Sequence, residues 1–203
     1  MPEPGADLGE DLDAVVRRVD PDRWLASRFI TDAQARADVI ALYAFDHELV
    51  RAVAVTREPL MAEIRLTWWA DAIAEIFEGR AVRRHPVTVG LEAAIKRHGL
   101  GRTDFDALLG SHFADPQDRP KAASSAMRIA ATILGAPSAK VDAAALASAA
   151  HDASSLAEAN RDLRGLPAQA FPAVSYATLA RARGKGAISS RLRLLWATAT
   201  GRL

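Results

Sequence analysis

Apolar residues recur at helical spacing through most of the 203-residue chain, and most clearly between Thr31 and Gly79. Ala37, Ile40, Ala41, Ala44, Phe45, Leu49 and Ala52 lay one apolar face along a helix. Thr31 is placed to cap it, with Gln34 three residues on as a capping-box partner. The pattern breaks at Thr56 and resumes at Pro59, a first-turn position where the missing N–H costs nothing. Leu60, Ile64, Trp68, Ile73 and Phe77 carry the second face, and Gly79 is a natural stop.

The same reading extends to both ends. Met1 to Gly9 forms a disordered lead, overlapping a short helix over Leu8 to Val19 that Asp20-Pro21-Asp22 breaks. A second short helix runs through Trp24, Leu25 and Phe29. Pro86 opens a helix that Gly99 ends, and Thr103 with Asp106 starts another through Phe113. After a loop at Asp115 to Pro120, an alanine-rich helix covers Lys121 to Leu134. Ser138 to Arg164 reads as the longest helix, and Pro172 to Arg183 as a further one. A turn at Gly184-Lys185-Gly186 leads to a C-terminal helix with Leu192, Leu194, Leu195 and Trp196. Period-two alternation is absent over any useful window, so the class is all-α, a helical bundle. Residues 1–20 read as lead and short helix, and residues 21–203 as one domain.

Composition narrows the chemistry. Alanine-rich helices suit close packing, and half the residues are hydrophobic. A net charge of +1 gives no reason to expect nucleic acid. The lack of cysteine excludes disulfides, thiolate metal sites and a cysteine nucleophile. No apolar run reaches the roughly 20 residues of a membrane span, and the acidic N-terminus lacks the apolar stretch of a secretory signal. A cytoplasmic protein is expected, with peripheral contact at the membrane.

Three segments carry a resemblance: LYAFDHELVRA, then EIRLTWWADAIAEIFEGR, then HPVTVGLEAAIKRHGL. Together they resemble the squalene/phytoene synthase family, in the subgroup that holds the mitochondrial complex I assembly factor built on a phytoene-synthase-like domain. The resemblance implies an isoprenoid-synthase-like bundle, shortened in its middle. It also implies where catalysis should sit. Prenyl transfer in the family uses Mg²⁺ held by acidic motifs on facing helices, because the departing diphosphate needs its charge neutralised. Laid on the family pattern, the first motif falls on Val50, Arg51 and Ala54, none of them acidic. Arg51 puts a positive charge where the metal would lie. The second motif is partial, with Arg161 and Asp162 matching and Leu166 in place of a second aspartate. In a competing register this stretch belongs to the end of the domain, and a central segment is missing.

Other polar groups are weaker candidates. Asp46 and Glu48 lie two apart and so face different sides of a helix. Asp71 and Glu75 are four apart on one face, a spacing that suits either a metal or a solvated helix edge. The histidines (His47, His85, His98, His112, His151) show no paired metal spacing. Ser124, Ser125, Ser154 and Ser155 lack nucleophile-elbow glycines. A ligand groove is assigned to Tyr43, Phe45, Asp46, Arg65, Trp68 and Trp69, with one of the two tryptophans in the core. Arg51, Arg57 and Arg65 would bind a diphosphate or stand solvated. No metal site is assigned, and Mg²⁺ enters only if the chain transfers prenyl groups with unusual ligands. The expected role is a binding or assembly factor of the respiratory complex I type, with a prenyl or lipid ligand, a respiratory subunit as partner, and membrane contact through the basic loop 80–84 and the C-terminal helix. The alternative is an active prenyl-diphosphate transferase.

Overall fold

The structure is a computed structural model that describes residues 11–55, 58–113, 119–136, 141–142, 144–145, 153–182 and 187–203. The expected lead, Arg57, most of the 115–120 loop, His151, much of the expected 138–164 helix and the 184–186 turn lie outside the described residues. Among those described there are ten α-helices and no strand. They are α1 (Leu12–Val19), α2 (Pro21–Ser27), α3 (Ala33–Ala54), α4 (Pro59–Phe77), α5 (Pro86–His98), α6 (Arg102–Phe113), α7 (Arg119–Ile133), α8 (Ala153–Asp162), α9 (Pro172–Ser175) and α10 (Ala187–Thr200). Short 3₁₀ helices cover Ala168–Ala170 and Tyr176–Ala182.

α3 is the axis of the bundle. α1, α2, α4, α5, α6 and α7 all pack against it. Residues 38–46 are therefore buried on every side of the helix, and not along one stripe only. Phe45 anchors this layer, with its ring 5.5 Å from Trp69 and 6.2 Å from Phe105. α5 crosses α3 closely at Gly90, where an added Cβ would stand 2.8 Å from the Ala41 Cβ. α1 is bound into the same core through Val16, which is fully buried.

Helix ends follow local chemistry, with some shifts from expectation. The cap of α3 is Asp32, not Thr31: its carboxylate accepts the Ala35 N–H at 2.7 Å. Gln34 does not close a capping box; it reaches forward to Asp38 at 3.3 Å. Pro59 opens α4, and Gly79 and Gly99 turn out of their helices with φ of 66° and 60°. Arg119 and Pro120 belong to the first turn of α7, where proline needs no N–H partner. Within 138–164, helix α8 is described only over Ala153–Asp162, and α3 is the longest described helix. The expected helix over 172–183 is a single α turn that tightens into 3₁₀.

Candidate functional site

α3 carries two polar regions of opposite character. The first is buried. Asp20 caps α2 by accepting the Arg23 N–H at 3.0 Å, which fixes where Arg23 enters the core. The Arg23 guanidinium donates to Asp46 Oδ2 at 2.5 Å, and His112 Nε2 lies 3.3 Å from Oδ1 of the same carboxylate. The guanidinium also sits 5.1 Å from the centre of the Tyr43 ring and 5.3 Å from that of Tyr176. Burial alone would raise the Asp46 pKa; the Arg23 charge and the bonds from His112 and Arg23 outweigh it and hold the group at about 2. Burial pushes the Tyr176 phenol up to about 12 against the pull of Arg23, and its hydroxyl has no partner at hydrogen-bonding geometry. Asp46 is thus a structural anion locked by a cation.

Other carboxylates near α3 and α4 are engaged as well, Glu63 excepted among the described residues. Arg83 returns from the loop after α4 and bridges Asp71 and Glu75, at 3.3 Å and 3.0 Å. It also donates to the Trp68 carbonyl at 3.1 Å and lies over the Trp68 ring. Arg80 pairs with Glu78 at 2.6 Å. Asp38 is clamped by Arg97, 2.6 Å from both oxygens, and by His98 at 2.8 Å. His85 caps α5 by accepting the Val87 N–H on Nδ1, and burial lowers its pKa. Among the described residues, no group of three or more His, Asp or Glu could hold a metal ion.

The second region is open. The last turns of α3 and the first half of α4 enclose a cleft of about 720 Å³. Its apolar walls are Ala52 and Val55 from α3 and Leu60, Met61 and Ile64 from α4. Trp68 and Trp69 close the inner end, their rings edge to face at 4.8 Å. Glu48, Arg51, Glu63, Arg65 and Asp71 supply the polar margin. Val55, Leu60 and Ile64 are exposed by 63%, 66% and 41%, so the apolar surface faces solvent. Of the six groove residues expected from sequence, Arg65, Trp68 and Trp69 line this cleft. Tyr43, Phe45 and Asp46 do not, because the middle of α3 is wrapped on all sides. Trp69 is buried and Trp68 half-buried, the division expected for adjacent positions on a helix.

The family profile described as squalene/phytoene synthase matches residues 16–169. This chain belongs to the squalene/phytoene synthase family. A curated protein of Dictyostelium discoideum, "NADH dehydrogenase (ubiquinone) complex I, assembly factor 6 homolog", is 30% identical over 102 residues. That alignment covers 50% of this chain and 28% of the relative, so the chain spans well under two thirds of the protein it resembles. No solved structure matches.

In the register that the family resemblance sets, Val50, Arg51 and Ala54 occupy the first acidic motif. All three are exposed on the last turns of α3, and Arg51 donates to Glu48 at 3.0 Å. These side chains do not fit Mg²⁺: two are apolar, one is cationic, and the nearest carboxylate already holds an arginine. Arg161 and Asp162, the partial second motif, are exposed at the end of α8 and do not line the cleft. The buried Arg23 node and the Arg83 bridge were not legible as sites. Their only sequence signal is that Tyr43 and Asp46 fall on a helix face which periodicity treats as a continuation of the core.

Proposed function

We propose that this chain is a squalene/phytoene synthase family protein that works by binding, as an assembly or accessory factor for a respiratory complex of the complex I type. One observation carries the reading. Where the family register calls for metal-binding aspartates, the chain has Val50, Arg51 and Ala54 beside an apolar cleft. Of the carboxylates within reach, Asp46, Glu48, Asp71 and Glu75 are paired with Arg23, Arg51 and Arg83, and among the described residues Glu63 stands alone at the cleft margin. An apolar cleft with a charged margin suits an apolar segment of a partner subunit, held by burial along its walls and oriented by the ions at its edge. The relative's printed role as a complex I assembly factor homolog supports this choice of partner.

A position at the membrane face goes with such a partner. No described helix is long and apolar enough to cross a membrane. Of the two basic segments, loop 80–84 has Arg80 and Arg83 committed to acidic side chains. In α10, Arg191 and Arg193 have no carboxylate partner among the described residues. Arg84 of the loop is likewise exposed and without a carboxylate partner among the described residues, so contact with the membrane falls to Arg84 and α10.

The experiment is affinity capture from detergent-solubilised membranes with the tagged chain and with an Ile64→Asp variant. Respiratory-complex subunits are expected with the parent chain and not with the variant. Equal recovery with both would contradict a role for the cleft. Recovery of prenyl or lipid species instead would redirect the reading to a lipid carrier.

A further inference from the structure

Among the described residues, two buried side-chain oxygens have no hydrogen-bond partner, the hydroxyls of Tyr176 and Thr198. Both lie in one layer of the fold. Thr198 is on α10, and Tyr176 opens the 3₁₀ helix Tyr176–Ala182 against which α10 packs. A buried hydroxyl without a partner costs free energy, because it has left water and gained nothing in return. The layer where α10 docks carries this cost, whereas the buried carboxylates of α3, Asp38 and Asp46, are both paired.

Little along the helix offsets it. From Arg191 to Thr200, α10 buries Leu194 and Ala197 against the 3₁₀ helix and α9, and leaves Leu192, Leu195 and Trp196 exposed. Burying one leucine and one alanine gains about as much as two unpartnered hydroxyls cost. The balance is tipped at the far end. Gly201, with φ of 64°, ends the helix, and its N–H and that of Arg202 reach the Ala197 carbonyl at 2.8 Å and 3.3 Å. This turn brings Leu203 to α8. There Asn160 Oδ1 accepts the Leu203 N–H at 2.6 Å, and Asn160 Nδ2 donates to the Leu203 carbonyl at 3.0 Å. One side-chain amide thus takes both backbone groups of a single residue, and Leu203 itself packs against the core.

We infer that α10 is a strap in near balance between a docked and a released state, and that Asn160 is the clasp that keeps it docked. Release is local. α3 is wrapped by α1, α2 and α4 to α7, so the bundle around it keeps its own core when α10 leaves. Closed, the strap holds down the 3₁₀ helix whose Tyr176 ring lies 5.3 Å from the Arg23 guanidinium. Open, it lets both hydroxyls reach water and frees Leu194 and Ala197. An element of this kind is the part of a chain best able to change shape when a partner binds.

Hydrogen exchange of the full chain, read by mass spectrometry, tests this with no partner present, so it fails or succeeds independently of the assembly role. The amides of α10 from Leu194 to Thr200 should exchange together, about a hundred-fold or more faster than those of residues 38–46 in α3. Asn160→Ala should speed α10 by roughly ten-fold and leave α3 unchanged. Thr198→Val and Tyr176→Phe each remove an unpartnered hydroxyl, and each should slow α10 by roughly five-fold or more. An α10 that exchanges as slowly as α3 would overturn the inference. So would an Asn160→Ala chain in which α10 is unchanged, or in which both helices speed up alike, the mark of a residue that only supports the fold. Faster α10 exchange in Thr198→Val or Tyr176→Phe would overturn it too, by showing that ordered water holds these hydroxyls in the docked state.

Discussion

The two halves of α3 put charge to opposite uses. In its middle, Asp46 is buried, paired with Arg23 and faced by His112, and Arg23 in turn lies against two tyrosine rings. One turn and more toward its C-terminus, Val50, Arg51 and Ala54 face solvent, and the neighbouring surface is an apolar cleft. The first region concentrates polar groups and leaves them nothing to do but hold elements together. α2, α3, α6 and the 3₁₀ helix at Tyr176 all meet at the Arg23–Asp46 pair. The second region has apolar surface to spare, and among the described residues no group of three or more His, Asp or Glu could hold a metal ion. The proposed binding role rests on this division.

The largest effect should come from breaking the buried pair. Arg23→Ala or Asp46→Ala should each cost about 3–5 kcal/mol in urea unfolding, because the surviving charge is left uncompensated. Arg23→Met with Asp46→Leu should recover most of that loss. If the single variants cost under 1 kcal/mol, the node is not the keystone described. The pair also has a pH signature. Asp46 titrates at about 2 in the folded chain, below its ordinary 3.8, so its contribution is complete above that value. It should be lost as pH falls toward 2, to the extent of about 2 kcal/mol. Asp46→Asn should lack this component of acid unfolding.

Next comes the helix crossing beneath the node. Gly90→Val must push a side chain into Ala41 and should cost about 1–3 kcal/mol by thermal unfolding. Parent-like stability would mean that α3 and α5 separate easily. Arg83 comes third. It is partly exposed, so Arg83→Gln should cost about 1 kcal/mol or less. Arg83→Lys should not restore the loss, since a lysine cannot bridge Asp71 and Glu75 while lying flat on Trp68. The smallest effect on stability belongs to the cleft. Ile64→Asp should leave unfolding within about 0.5 kcal/mol of the parent, while removing capture of the partner.

Much of the helical layout is local and was legible. The α3 and α4 stripes, Pro59 as a start and Gly79 and Gly99 as stops depend on neighbours within a few residues. The site was less legible, for a physical reason. A stripe of apolar residues identifies one buried face, but the middle of α3 is buried all round, and only its packing partners make it so. Tyr43, Phe45 and Asp46 were therefore expected in a groove and belong to the core. Arg83 read as part of a basic loop facing outward. The chain turns back after Gly79 and brings it onto residues 8 and 12 positions earlier, beyond any helical spacing. Of the motif AIKRHGL only the helix stop at Gly99 was legible; the rest of its work appears only in the packed fold. Arg97 and His98 clamp Asp38, Gly99 ends the helix, and Leu100 is buried.

The most direct test of a binding rather than a transfer role is pyrophosphate release from farnesyl and geranylgeranyl diphosphate, with Mg²⁺ or Mn²⁺ and a high concentration of the chain. No release above a heat-killed control is expected. Turnover that disappears on mutating Asp71 or Asp162 would contradict the account and show a metal site built from unconventional ligands.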